Sequence, residues 1–153
     1  MKIREAMIDD AKELLKLEKE WLKEDISWGS VPPTLKELKE GLKKAIWYVA
    51  EDKDKSIIGF IQGEIIKSDG NKPAFDIKRG QRYGELYQVY VSKKFRGDNV
   101  GKILIKKLLD NFEKEKLKIV KLKAQSKKLQ GLVNYYKKFG FKERIADMIK
   151  ELR

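Results

Sequence analysis

The sequence of 153 residues contains neither cysteine nor histidine. Their absence excludes thiol nucleophiles, disulfides, haem ligation through histidine and most zinc sites. Any catalysis must then rest on carboxylates, tyrosine, serine, lysine or backbone groups. No apolar run approaches the length that a bilayer requires, and the opening MKIREAMIDD lacks the apolar stretch of a signal peptide. We therefore expect a soluble, cytoplasmic chain. Its length suits a single domain over residues 1–153, since it can bury one real core but not two independent ones.

What the sequence has in abundance is charge: 39% of its residues are charged and the net charge is +12. Such a field favours anionic partners, among them phosphorylated cofactors, nucleic acid and acidic membranes. The sign alone does not choose. Lysine far outnumbers arginine among the 36 basic residues, and the lysines are scattered among 24 acids, whereas sequence-specific nucleic-acid readers lean on clustered arginine. This pattern reads as a solvated, hyperthermophile-like surface, with neither a membrane nor a nucleic acid as the expected partner.

Periodicity divides the chain. KIRE reads as a short strand, and DDAKELLKLEKEWL as a helix whose apolar face is Ala11, Leu14, Leu15, Trp21 and Leu22, with Asp10 and Glu13 at its start. Thr34 and Glu37 form a capping-box pattern ahead of a second helix beginning at about residue 35. Residues 46–51 and 56–66 read as a hairpin. KSDGNKPAFDIKRGQR reads as a long loop. YGELYQVYV reads as a strand, and Val100, Ile103, Leu104, Leu108 and Phe112 repeat at helical spacing. KIVKLKA alternates as a half-buried strand, LQGLVNYYKKF follows as a helix closed by Gly140, and FKERIADMIKELR fits two short strands or one bent strand. The order predicts a mixed α/β domain.

Between the strand ending at Val91 and the following helix stands FRGDNVGKIL. A strand that runs into a helix leaves the first N–H groups of that helix without partners, and the peptide dipoles add partial positive charge there. Gly97 and Gly101 let a diphosphate approach the backbone, and Arg96 adds a cationic fork. No G-x-x-x-x-G-K-[ST] and no G-x-G-x-x-G is present. Arg96-Gly97-Asp98-Asn99-Val100-Gly101 instead resembles the R/Q-x-x-G-x-G/A motif of the GCN5-related N-acetyltransferases, and YYKKFGF is similar to the family's late Y-x-K-x-G-F segment. Asn99 replaces the family's usual glycine but tolerates a positive φ. Leu129 stands where the family often has asparagine.

The resemblance implies a fold with a central, mostly antiparallel sheet flanked by about four helices. It also implies transfer of an acetyl group from acetyl-CoA to a primary amine, by direct attack in a ternary complex without a metal. Coenzyme A would lie on Val89, Tyr90, Val91, Arg96, Gly97, Asp98, Asn99, Val100, Gly101 and Lys102, with Tyr136 near the sulfur. Glu85 would serve as base and Tyr136 as proton donor to the leaving thiolate, with Tyr135 the less favoured donor. A lysine-like amine, with a pKa of about 10.4, costs roughly 4.6 kcal/mol to neutralise at pH 7, so such an acceptor needs a base. Trp21, Trp28, Tyr83 and Tyr87 are candidates to line an acceptor site open enough for a peptide or protein amine. The alternative is a non-catalytic module that binds coenzyme A or associates with RNA through its basic surface.

Overall fold

The computed structural model describes residues 1–27, 30–71 and 75–151. Its elements run β1 (Lys2–Glu5), α1 (Ala11–Lys23), α2 (Leu35–Lys44), β2 (Ile46–Glu51), β3 (Ile57–Lys67), β4 (Arg82–Val91), α3 (Val100–Lys114), β5 (Val120–Leu122) and α4 (Leu129–Lys137). The five strands form one sheet in sequence order. Every neighbouring pair is antiparallel except β4 and β5, which are parallel.

Local chemistry explains where the helices start. At α2 the Thr34 hydroxyl accepts from the Glu37 backbone N–H, and the Glu37 carboxylate accepts from the Thr34 N–H, so both orphan donors are satisfied. Asp10 acts differently from the expected cap of α1. Its carboxylate accepts from the Met7 N–H and forms a bidentate pair with Arg4, which also reaches Glu51. Burial works against the Asp10 charge, yet these bonds hold its carboxyl below the usual range. Asp10 therefore ties β1 and β2 to the 3-10 turn that leads into α1.

The sheet buries both faces. One carries Ile58, Ile61 and Leu86 against Leu104, Ile105, Leu108 and Phe112 of α3, with Tyr136 of α4 at the margin. The other carries Val49, Phe60 and Tyr90 against Ala11, Leu14 and Leu17 of α1 and Leu38 of α2. A register shift between Gln62 and Gly63 pairs them with Gln88 and Leu86, leaving Tyr87 as the extra residue of a bulge in β4.

One expectation fails. Residues 141–151 form neither helix nor strand, and Ile145, Met148 and Ile149 are exposed, so the closing strand pair is absent from the described residues. The physical reason lies in what is offered to them. β5 is only three residues long, and the tail is dense in charge, so neither a long free edge nor an apolar face draws it into the sheet.

Candidate active site

β5 pairs with β4 only at Gly84, Glu85 and Leu86. Beyond that point the β5-side edge of β4, from Tyr87 to Val91, has no strand beside it among the described residues, while its other edge stays paired with β3. The bulge lies where this free edge begins. Val89, Tyr90 and Val91 thus fall together along it. The Val91 carbonyl already accepts from Arg96 Nε at 2.9 Å.

The chain then passes through a 3-10 turn (Lys93–Phe95) into α3. Gly97 has φ +95° and Asn99 has φ 60°, so Asn99 takes the left-handed conformation that the sequence required of it. The Asn99 side chain does not cap the helix. Among the described residues the backbone N–H groups of Gly97, Asp98, Asn99, Val100, Gly101 and Lys102 donate to nothing. Gly97 to Asn99 and Lys102 are exposed. A Cβ at Gly97 would meet no atom within 4 Å, so the space over the turn is open. The junction therefore presents a run of free donors at the positive end of a helix dipole, which is how a protein without a P-loop can cradle a diphosphate.

Arg96 is placed otherwise than as a free fork. Its guanidinium makes a bidentate pair with Glu24 just beyond the end of α1, at 2.8 and 2.6 Å, and lies 5.4 Å from the Tyr90 ring centroid. Glu24 also accepts from the Tyr90 hydroxyl, and the Arg96 bond holds its carboxyl below the usual range. The arginine thus clamps the turn to α1 and to the end of β4.

Tyr136 is buried on the α3 side of the sheet, and burial pushes its phenol up to about 12. Among the described residues its hydroxyl makes no hydrogen bond. Tyr135 lies beside it, and its hydroxyl would be 3.1 Å from a Cβ at Gly101, so α4 packs against the first turn of α3. Tyr135 is thereby brought to the free-amide junction, with Tyr136 packed beside it in the α3-side core.

Glu85 lies on the opposite face of β4, paired with Lys121 of β5 at 2.5 Å and cross-strand from Glu64. Tyr87 donates to Glu64 at 2.8 Å, while Tyr83 is buried. Trp28 lies outside the described residues. On the same face α1 and α2 form a cleft of about 360 Å³ over the sheet, lined by Glu18, Trp21, Leu38, Trp47, Gln62 and Gln88 among others. Glu18 is 4% exposed. Gln88 Nε2 donates to Glu18 Oε1 and contacts Gln62 Oε1 at 3.3 Å. Burial raises the Glu18 carboxyl above its ordinary pKa, opposed by the Gln88 bond. The sequence reading passed over this residue. A helical wheel holds the signal: Ala11, Leu14 and Glu18 are spaced i, i+3 and i+7, which puts a carboxylate on the buried stripe.

The chain matches the model of the Acetyltransferase (GNAT) family over residues 8–141 and belongs to that family. No curated protein matches it in sequence. Solved structures share the fold at low identity. A tetramutant of a Bacillus halodurans protein is 17% identical, with TM-score 0.79 and coverage of 99% of this chain and 100% of that one. A ribosomal-protein-alanine N-acetyltransferase from Brucella melitensis biovar Abortus 2308 is 19% identical, with TM-score 0.72 and the same coverage. An aminoglycoside acetyltransferase from an uncultured soil metagenomic sample, in complex with sisomicin, is 16% identical, with TM-score 0.70 and coverage of 99% and 96%. Family and fold together define an acetyltransferase.

Proposed function

We propose that the protein is an N-acetyltransferase that takes the acetyl group from acetyl-CoA and passes it to a primary amine by direct attack in a ternary complex. The observation that carries this reading is the run of partnerless amides from Gly97 to Lys102 beside the free edge of β4. These residues fit coenzyme A. Gly97–Lys102 would hold its pyrophosphate, and the backbone of Val89–Val91 would pair with its pantetheine arm, the Val91 carbonyl being shared with Arg96. When bound, acetyl-CoA supplies an activated acyl thioester.

The chain's own groups do the rest. Arg96 fixes the turn rather than meeting phosphate directly, and this keeps the amides aimed outward. Tyr136 keeps its proton at neutral pH, since its phenol is pushed up to about 12, and can give it to a departing thiolate. Glu64 adds negative charge on the α1 side of the sheet, where Glu85 is already paired with Lys121, and this favours a cationic amine. Orientation of two reactants on opposite sides of one splayed strand supplies much of the acceleration. Two of the structural neighbours, a ribosomal-protein-alanine N-acetyltransferase and an aminoglycoside acetyltransferase, support an amine acceptor without choosing between protein and small molecule.

Calorimetric titration with coenzyme A tests the reading. Binding at submillimolar concentration is expected, accompanied by thiol release from acetyl-CoA when a panel of primary amines and N-terminal peptides is added. An absence of coenzyme A binding overturns it.

A further inference from the structure

The carboxylate expected to act as base, Glu85, is tied to Lys121. Glu64 takes the Tyr87 hydroxyl, and Glu37, which also lines the cleft, caps α2 through Thr34. Glu18 differs from all three. It has no cationic partner among the described residues, one oxygen accepts only the Gln88 amide, and the side chain is almost wholly buried at the wall of the α1–α2 cleft. Gln88 directly follows the bulge, at the point where the edge of β4 comes free. Glu18 is thus one hydrogen bond from the strand whose far edge would carry the thioester. Trp21, Leu38 and Trp47 also line the cleft, alongside polar Ser30 and Gln62.

We propose that Glu18 is the catalytic carboxylate that receives the acceptor's ammonium in this cleft and takes its proton, and that the acceptor is a primary amine on an apolar or aromatic stem. This rests on the acetyltransferase reading above. A buried carboxylate without a cationic partner attracts a cation, and an apolar or aromatic stem would replace water against the half-buried Trp21 ring at the cleft. Burial also brings the Glu18 carboxyl toward the range in which a base works near neutrality. Glu18 takes one proton from the ammonium nitrogen. The freed lone pair forms the C–N bond to the acyl carbon as the C–S bond breaks with its electrons on sulfur, and Tyr136 protonates that sulfur. The second nitrogen proton returns through solvent to the Tyr136 oxygen, and Glu18 releases its own to water. Amide, thiol and one proton result.

The test compares Glu18→Gln with Glu85→Gln, using 2-phenylethylamine and the tripeptide Phe-Gly-Gly as acceptors. Thiol release gives turnover, and calorimetry gives the affinities for coenzyme A and for each amine. Glu18→Gln is expected to lower kcat by about 100-fold or more, the usual scale for losing a base, to weaken amine binding, and to leave coenzyme A affinity intact. Glu18→Asp, with its carboxylate on a shorter arm, should recover part of the turnover, and it keeps the test decisive should the glutamine variant not fold. The proposal is overturned by undiminished turnover in Glu18→Gln, by a larger loss in Glu85→Gln, or by wild-type protein that binds coenzyme A but neither amine. Wild-type protein that does not bind coenzyme A overturns the underlying reading instead.

Discussion

Tyr136 and Glu18 sit on opposite faces of the sheet, and burial moves both pKa values upward with opposite consequences. For the phenol, a pKa of about 12 means that the neutral donor form prevails at any physiological pH. Tyr136→Phe should therefore lower turnover by about 100-fold while coenzyme A affinity is retained, since the ring still packs on Phe141. Unchanged thiol release would remove Tyr136 from the chemistry. For the carboxyl, the folded chain holds a proton more tightly than the unfolded one, so stability declines as pH rises from the ordinary glutamate value through the raised one, and stays low above it. Glu18→Gln should then raise the melting temperature at pH 8 while lowering turnover, and the gain should shrink toward pH 4. A variant that melts lower at pH 8 would mean that the Glu18 charge is compensated in the fold. At this scale the sequence was informative where backbone geometry dictates a residue, as at Gly97 and Asn99. It named Arg96 as a fork for phosphate but not its pair with Glu24, which is 72 residues away and meets it only after α1 has folded onto β4.

Helices and strands carry a second layer of constraint. α3 approaches the sheet through two glycines: a Cβ at Gly63 would fall 2.8 Å from Leu108, and one at Gly84 would fall 2.7 Å from the Phe112 ring. That close approach sets the height of α3 over β4, and with it the position of the free amides relative to the strand edge. Gly84→Ala should cost about 1–3 kcal/mol through overpacking, read as a lower urea midpoint with an unchanged slope. An equal midpoint would show that Phe112 can move aside. The clamp between α1 and the phosphate turn gives a companion prediction. Arg96→Ala frees Glu24, Tyr90 and the turn together, so coenzyme A affinity should fall by about tenfold, and Glu24→Gln should reproduce part of that loss in calorimetry. If Glu24→Gln binds normally while Arg96→Ala does not, Arg96 meets the phosphates itself. Elements with local signals, such as the Thr34 capping box and the hairpin of β2 and β3, were legible in the sequence. The tail after Phe141 was not, because alternation marks what a strand needs from its own residues and says nothing of whether a neighbour's edge is there to receive it.

Across the whole molecule the excess of 12 positive charges acts beyond any single contact. Under the proposed function the two substrates meet opposite fields: the net positive charge draws an anionic nucleotide in, and the buried Glu18 carboxylate attracts a cation only at short range. In the proposed site the turn would hold phosphate mainly through uncharged amides and a helix dipole, with Arg96 already paired to Glu24. Salt should consequently act on the approach of coenzyme A more than on its departure. Long-range attraction is screened when the Debye length shrinks from about 10 Å at 0.1 M salt to about 3 Å at 1 M, while short contacts are screened less. Stopped-flow measurement should show the association rate falling by about tenfold over that range, with the dissociation rate changing by less than about twofold. A dissociation rate that climbs as steeply as association falls would mean that lysine side chains, such as Lys102 beside the turn, hold the phosphates directly. The same excess of charge would then be part of the binding site itself, and the amides of Gly97–Lys102 would be secondary.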